Sequence, residues 1–154
     1  MKFAVKVFVF LLLNFTALAI GGFFTGDGVA SDWYYNLNKA PWTPPGWSFG
    51  VAWSIIMICY SFYMAILYKV NARRNKVITL YAAQLLLNVL WNPLFFYFQN
   101  PLIALIAILS LTIIVAYLLF RYQKSMRWTS LLILPYFIWL CVATSLNIYI
   151  IIYN

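Results

Sequence analysis

The sequence predicts an all-α integral membrane protein, a bundle of five transmembrane helices whose long first loop acts as a lid. Two features of the composition predict this class. Of the 154 residues, 66% are hydrophobic and 8% are charged, and the mean hydropathy is +0.92. The residue composition and the mean hydropathy both lie outside the range of soluble globular proteins. The third observation is a series of apolar runs, each with the roughly 20 residues that a helix needs to cross a bilayer.

The apolar runs define the predicted helices, at residues 5–24, 45–69, 77–98, 101–121 and 127–153. Apolar and polar residues do not alternate in them, so they do not fit the strands of a membrane barrel. Short connections join the last four runs, which makes sequential helices antiparallel neighbours. Because the sequence contains no internal repeat, we expect a single domain over residues 1–154.

The first run also has features of a secretory signal peptide. Lys2 and Lys6 precede an apolar segment, and Ala17–Ala19 resembles a cleavage site. The apolar run continues to Phe24, past that site, which favours a retained helix over a cleaved one. Both interpretations stay open on the sequence alone.

The connection over residues 25–44 is long for a compact bundle, and such loops are usually functional or disordered. Its four large aromatic residues, Trp33 and Trp42 among them, favour a packed lid over disorder. Ser31 or Asp32 can cap a short helix within it. Trp42 by itself is also typical of an anchor at the membrane interface.

The positions of the charged residues predict the orientation. If the amino terminus is cytoplasmic and the carboxyl terminus is outside, all ten Lys and Arg residues except Lys39 lie on the inner side. Lys39 then shares the outer side with Asp27 and Asp32. We therefore expect a multi-pass membrane protein whose basic side attracts anionic lipid. Since no soluble domain carries the basic residues, nucleic acid is not an expected partner.

The sequence lacks the side chains that most enzymes use. It contains no histidine, and Asp27 and Asp32 are the only acidic residues. Serine–histidine triads, carboxylate pairs and histidine-ligated metals are therefore excluded. Cys59 and Cys141 lie within apolar runs, where a thiol stays neutral and inert. We expect neither a metal site nor a required cofactor.

Trp53 lies unusually deep for an indole in a membrane helix. At 1.5 Å per residue it is about 12 Å beyond Pro45, below the aromatic belt. Gly50, one turn above it, leaves space for a pocket. Gly46 and Gly50 also form a GxxxG pattern that is typical of helix contacts, and the two interpretations stay open.

The third run carries three amide side chains on one helix face. Gln84, Asn88 and Asn92 recur every four residues. Amides in a membrane destabilise the fold unless they find partners or line a cavity. The stripe therefore predicts either interhelical hydrogen bonds or a cavity wall.

The fifth run carries a second stripe at the same spacing, Trp139, Ala143 and Asn147. On ideal helices, Trp139 and Asn88 lie about 16–17 Å from the inner edge of the membrane. Trp53, descending from the outer edge of a core about 30 Å thick, reaches nearly the same level. We therefore predict that these side chains line one pocket in the outer half of the bundle.

Three separated motifs resemble the signatures of the TspO/translocator-protein family, also called tryptophan-rich sensory proteins or peripheral-type benzodiazepine receptors. The motifs are "W-x(5)-KAPWTPPGW-x(5)-W", "QLLLN-x-x-W-x-P-x-FF" and "PYFIW-x-x-x-ATSLN". They occur in order along the whole chain. The resemblance, to bacterial members, implies a five-helix bundle of a bacterial cell membrane that is usually a homodimer, with a pocket closed by the first loop.

The resemblance also implies a function and a set of residues. Family members bind porphyrins such as protoporphyrin IX and haem, and some bacterial members promote their light- and oxygen-dependent breakdown. The two tryptophans on which that breakdown depends match Trp53 and Trp139. Further pocket positions of the family match Trp42, Asn88, Trp91, Ala143 and Leu146, and its dimer-contact stripe matches Thr79 and Ala83.

One family pattern is broken in this chain. Animal members carry a cholesterol-recognition pattern that needs a basic residue after a tyrosine, and none follows Tyr149. The expected function is therefore a membrane sensor or receptor for porphyrins, with photo-oxidative degradation as a further activity. A transporter of porphyrins or other amphipathic molecules is the alternative. A chaperone-like regulator is a third.

Overall fold

The computed structural model describes residues 2–154, which form helices and turns without a β-strand. The α-helices are α1 (Phe3–Val29), α2 (Asp32–Asn36), α3 (Gly46–Val70), α4 (Arg74–Asn92), α5 (Pro101–Met126) and α6 (Leu134–Tyr153). A π-helical turn, Pro93–Tyr97, continues α4, and a 3-10 segment, Arg127–Ile133, joins α5 to α6. The prediction of an all-α protein is confirmed.

Four continuous helical stretches of the described chain are long and apolar enough to cross a membrane. They are Phe3–Val29, Gly46–Val70, Arg74–Tyr97 and Pro101–Tyr153. Large apolar side chains such as Phe8, Phe23 and Ile113 are exposed on the outside of the bundle, as lipid contact requires. The prediction of an integral membrane protein is confirmed, whereas the division into five crossings stays a prediction.

The fourth stretch bends at Arg127, whose backbone has a φ of 50°. The helix before the bend ends at Met126, later than the predicted end at residue 121. Residues 127–133, predicted as the first turns of the last helix, are 3-10 instead. Pro135 has no N–H for an α-helical bond, and it occupies the first turn of α6, where none is needed.

The contacts between helices define two ends of the bundle. Asn14 in the middle of α1 bonds to Ser61 of α3, and Lys6 lies over the ring of Tyr68, so α1 and α3 are antiparallel. The ends of α3 and α5 and the start of α4 form one end, which we call the basic end. The opposite end carries α2 and residues 37–45, and we call it the lid end.

Helix α1 extends past its predicted end, through Gly26 and Gly28 to Val29. Its buried residues follow intervals of three, four and seven, which is the spacing of a coiled-coil seam: Val7, Phe10, Asn14, Ala17, Gly21 and Gly28. A Cβ at Gly21 would lie 2.6 Å from the Asn92 amide nitrogen, and one at Gly28 would overlap Phe96. Glycine thus allows α1 to approach the end of α4 closely.

Gly46 and Gly50 do not mark a close approach between helices within residues 2–154. A Cβ added at either position finds no atom within 4 Å. The helix-contact interpretation of the GxxxG pattern is therefore wrong inside this chain. The predicted lid loop, 25–44, likewise contains the end of α1 and the whole of α2, so that only residues 37–45 connect α2 to α3 without a helix.

A buried hydrogen-bond network joins α1 to its neighbours. The Asn14 amide donates to the Ser61 hydroxyl at 2.8 Å and accepts from the Tyr81 hydroxyl at 2.9 Å. All three side chains are at most 4% exposed. Buried polar groups need such partners in a membrane, and the network therefore sets the register of α1 against α3 and α4.

Candidate ligand-binding chamber

The π-helical turn at the end of α4 shapes the lid end of the bundle. Pro93 lacks the N–H that an α-helix would use, and the Phe98 N–H bonds to the Pro93 carbonyl at 2.9 Å. The wider turn buries the adjacent side chains Phe95 and Phe96 together. Turns of this kind are frequent at functional sites.

Helix α2 packs over this turn. Its cap is Ser31, one of the two predicted candidates, whose hydroxyl accepts from the Tyr34 N–H at 3.2 Å. The Trp33 ring meets Phe95 edge-on at 5.6 Å, and the Tyr34 ring lies 5.6 Å from Phe96. Four aromatic rings thus close the lid end above α4.

Two adjoining cavities lie between α3, α4, α5 and α6, and we call them together the tryptophan chamber. The inner cavity, about 30 Å³, is lined by Phe49, Trp53, Asn88, Trp91, Ile108, Leu111, Trp139, Leu140 and Ala143. The outer cavity, about 60 Å³, is lined by Tyr34, Lys39, Ala40, Thr43, Phe49, Trp91, Phe95, Phe96, Ala143, Leu146, Asn147 and Ile150. Phe49, Trp91 and Ala143 line both.

The inner cavity brings together three side chains from three helices. Trp53 comes from α3, Asn88 from α4 and Trp139 from α6. Phe49 meets the Trp139 ring edge-on at 5.3 Å, and Trp53 meets Tyr136 edge-on at 5.8 Å. The Asn88 side chain is 8% exposed and forms no hydrogen bond within the described chain. Its amide is therefore available to a ligand.

The outer cavity contains the predicted residues Trp91, Ala143, Leu146 and Asn147. The Asn147 amide donates to the Pro101 carbonyl at 2.9 Å and accepts from the Trp91 indole at 3.3 Å. Trp91 in turn stacks on Phe95 at 5.3 Å. Asn147 therefore joins α4, α5 and α6 and holds the Trp91 ring in place.

Two of the predicted amides lie outside both cavities. Gln84 is fully buried and donates to the Tyr136 hydroxyl at 2.6 Å. Asn92 faces α1, where it accepts from the Thr25 hydroxyl at 2.7 Å. Their positions correct the expectation of one amide-lined wall, because only Asn88 of the three reaches the chamber.

Three further predicted residues lie at the edge of the site. Trp33 packs on Phe95 and lines neither cavity, and Gly50 faces open space. Trp42 is 54% exposed and donates its indole N–H to the Ser145 hydroxyl at 3.1 Å. Trp42 therefore links the connection 37–45 to α6 from outside the chamber.

Lys39 was not predicted to belong to the site, although it lies within the first motif. Its ammonium lies 4.6 Å above the Tyr34 ring and is the only charged group among the described residues that line the two cavities. Burial raises the pKa of the Tyr34 hydroxyl above its ordinary value, so this hydroxyl stays neutral beside the Lys39 ammonium. The signal available in the sequence was that Lys39 is the one basic residue on its side of the predicted membrane.

The connection 37–45 is tied to the end of α6. The Asn38 N–H donates to the Asn154 side-chain oxygen at 2.8 Å, and the Asn38 amide donates to the Tyr153 carbonyl at 3.0 Å. The Asn154 amide returns a bond to the Asn38 carbonyl at 3.3 Å. All three bonds are exposed, so water can replace them when the connection moves.

The predicted dimer-contact residues lie on the outside of α4. Thr79 is exposed, Ala83 is half-buried, and the Thr79 hydroxyl bonds within its own helix to the Asn75 carbonyl at 3.0 Å. In the span that includes α4, 17% of the residues in its most apolar part are buried, the smallest share among the four apolar stretches. Its outer face is therefore left to lipid or to another protein.

A sequence model of the TspO/MBR family matches residues 9–153. This chain belongs to the TspO/MBR family. It is 34% identical to the Tryptophan-rich protein TspO of Archaeoglobus fulgidus, over 100% of this chain and 97% of that protein. It is 33% identical to the Tryptophan-rich sensory protein of Cereibacter sphaeroides, over 89% and 87%. It is 30% identical to the Translocator protein of Bos taurus, over 88% and 85%.

Membership of the TspO/MBR family confirms the resemblance that the three motifs indicated. Together with the apolar helical stretches, it supports a membrane sensor or receptor. The side chains that line the tryptophan chamber come from all three motifs. The most distinctive parts of the sequence therefore meet in one place, although they are separated along the chain.

Proposed function

We propose that this protein is a membrane receptor for a flat tetrapyrrole such as protoporphyrin IX or haem, bound in the tryptophan chamber. The observation that carries the proposal is the meeting of Trp53, Trp91 and Trp139 around one cavity. Indole rings offer flat apolar walls to a macrocycle, and aromatic contacts add about 0.5–1.5 kcal/mol each beyond area burial. No cofactor is required for binding of this kind.

The chamber must widen to accept such a ligand. Sites for ligands of this size enclose about 300–1,000 Å³, whereas the two cavities measure about 30 and 60 Å³. Phe49 lines both cavities and rests on Trp139, so rotation of its ring would join them. We therefore interpret this arrangement as the closed form of the receptor.

Helix α2 and the connection 37–45 would act as the lid over the chamber. Lys39, Ala40 and Thr43 line the outer cavity from above. The hydrogen bonds of Asn38 and Trp42 that hold this segment are exposed. Exposed bonds contribute little net free energy, about 0.5–1.5 kcal/mol each, and a lid held by them opens easily.

Lys39 is suited to a carboxylate of the ligand. Tetrapyrroles such as protoporphyrin IX carry propionate groups at one edge of an apolar ring. The Lys39 ammonium lies at the mouth of the outer cavity, where it contacts the Tyr35 and Leu37 carbonyls at 3.3 and 3.4 Å but no carboxylate. A propionate would supply the missing negative charge, which orients the ring with its apolar edge toward Trp53.

The tryptophans would also allow light-driven degradation of the bound ring. Trp53 and Trp139 are two of the three indoles that line the inner cavity, and the described residues around it include no acid–base pair. An indole can donate one electron to a light-excited tetrapyrrole, which passes the electron on to oxygen, and the reduced oxygen species then acts as the oxidant that breaks the ring. Binding uses the flat apolar faces of the indoles, whereas degradation uses their electrons. The same residues therefore contribute two separate properties.

Five crossings are consistent with this site. The last apolar stretch has 53 residues, about 80 Å of helix against a core of about 30 Å. It bends at Arg127, and α6 returns along α5, where Asn147 reaches Pro101. We propose that it crosses twice, with the basic end in the cytoplasm and the lid end outside.

Titration of protoporphyrin IX into the purified protein in detergent tests the proposal. We expect saturable quenching of tryptophan fluorescence, with Trp53→Phe and Trp139→Phe each weakening affinity less than tenfold because a flat wall remains, a loss of at most about 1.4 kcal/mol. Light-dependent loss of the porphyrin should fall much further. Trp128→Phe, at an indole 85% exposed at the other end, is the matched control.

Three results would argue against the proposal. Absence of saturable binding would remove the receptor function. Full photochemistry in the double Phe variant would remove the two indoles from the degradation. Porphyrin flux into sealed vesicles would instead indicate the transporter that the sequence left as the alternative.

A further inference from the structure

A second concave site lies at the basic end of the bundle, far from the tryptophan chamber. It is a cavity of about 440 Å³ between the α3–α4 connection and the end of α5. Four cations line it, Arg73, Lys76, Arg121 and Lys124. The two acidic residues of the sequence, Asp27 and Asp32, are at the lid end, and no ion pair joins them to this cavity.

Tyrosine rings hold several cations here in place of carboxylates. The Lys76 ammonium donates to the Tyr117 hydroxyl at 2.7 Å, and the Arg121 guanidinium lies 5.9 Å from the Tyr122 ring. Beside the cavity, Arg74 lies 5.4 Å from the Tyr68 ring. Aromatic faces position a cation without neutralising it. The positive charge of the cavity therefore remains uncompensated by the protein.

The cavity also borders the apolar surface of the bundle. Val70, which lines it, is 52% exposed, and Phe120, next to Arg121 on α5, is 59% exposed. A ligand that places its anionic group among the cations can thus lay apolar chains along these side chains. A soluble anion would leave this adjacent apolar surface unused.

We propose that this cavity binds the headgroup phosphate of an anionic phospholipid, whose acyl chains lie against Val70 and Phe120. Basic pockets between helices at a membrane surface suit such headgroups. Arg73 and Lys124 contact the phosphate directly, since neither side chain bonds within the described chain. Lys76 and Arg121 are oriented toward it by their tyrosines.

Binding of phosphatidylglycerol to the detergent-solubilised full chain, measured by native mass spectrometry, tests this site. The variant with Arg73→Gln and Lys124→Gln should bind the lipid roughly 30-fold more weakly, since each nearby cation contributes about a fivefold change. The matched control, Lys2→Gln with Lys69→Gln, removes the same charge from positions that do not line the cavity. We expect the control to bind like the original protein.

Each other outcome contradicts the proposal. If both double variants lose the same affinity for phosphatidylglycerol, the lipid is attracted by the overall positive charge rather than bound at this cavity. Equal binding of phosphatidylcholine would mean that charge is not recognised, and displacement by millimolar inorganic phosphate would mean a soluble anion. Thermal unfolding in the same detergent checks the fold, and if the double variant is unfolded, Lys124→Gln alone should show a loss of about fivefold.

Discussion

Replacing Asn88 with leucine distinguishes an amide that serves a ligand from an amide that joins helices. The Asn88 side chain lines the inner cavity and bonds to no group of the described chain. Asn147, at a similar burial, bonds to both Trp91 and Pro101. Asn147→Leu is therefore the matched comparison, since it makes the same chemical change where two hydrogen bonds are lost.

The expected magnitudes follow from these bonds. Hydrogen bonds between membrane helices contribute about 0.6 kcal/mol on average and at most about 1.7, so Asn147→Leu should lower the free energy of unfolding by about 1–3 kcal/mol. Asn88→Leu breaks no bond and should leave that free energy unchanged or higher. If the Asn88 amide bonds to a polar edge of the ligand, its loss should weaken affinity by about threefold to tenfold.

Two measurements on each variant check this reasoning. Unfolding by a denaturing detergent gives the stability, and protoporphyrin IX quenching of tryptophan fluorescence gives the affinity. We expect Asn88→Leu to lose affinity at full stability and Asn147→Leu to lose stability. The reasoning is refuted if Asn88→Leu unfolds as easily as Asn147→Leu and binds the porphyrin unchanged.

Three further predictions concern the lid, the topology and the assembly. Trp42→Ala should speed porphyrin release in stopped-flow more than it slows entry, because lost lid contacts act mainly on dissociation; an unchanged release rate would leave the segment as a simple connection. In a background without the native cysteines, an impermeant thiol reagent added outside should label Asn36→Cys and spare Asn75→Cys, and the reverse pattern would invert the topology. Ala83→Cys should cross-link two copies across the outer face of α4 if the protein is a homodimer, and an absence of cross-linked product in native membranes would contradict that interface.

The sequence was sufficient to predict the class of protein and the separation of its acidic residues from most of its basic residues. Apolar runs of bilayer length have few alternatives to membrane helices, because the backbone must satisfy its own hydrogen bonds in lipid. The tryptophans of the inner cavity were also predictable. The rise per residue alone predicts that Trp53 and Trp139 lie at one level, and the inner cavity brings them together.

Only the tertiary structure decided what each amide of α4 does. A helix turns about 100° per residue, so positions four apart differ by about 40° and Gln84 and Asn92 by about 80°. Because the stripe spans this angle, its three amides face different parts of the protein. Gln84 contacts Tyr136, Asn88 lines the inner cavity and Asn92 contacts Thr25. The spacing identifies the stripe, but the rotation of α4 against the other helices assigns its members.

The tertiary structure also decided where helices end. Gly26 and Gly28 are typical of a turn, yet α1 continues through both and packs Gly28 against Phe96, where a Cβ would not fit. Glycine in the interior of a helix is about 1 kcal/mol less favourable than alanine. Packing against a neighbouring helix contributes more free energy than this preference. The sequence by itself therefore determined the membrane class and the level of the bundle at which Trp53, Asn88 and Trp139 meet, while contacts between helices determined the ends and the facing of each one.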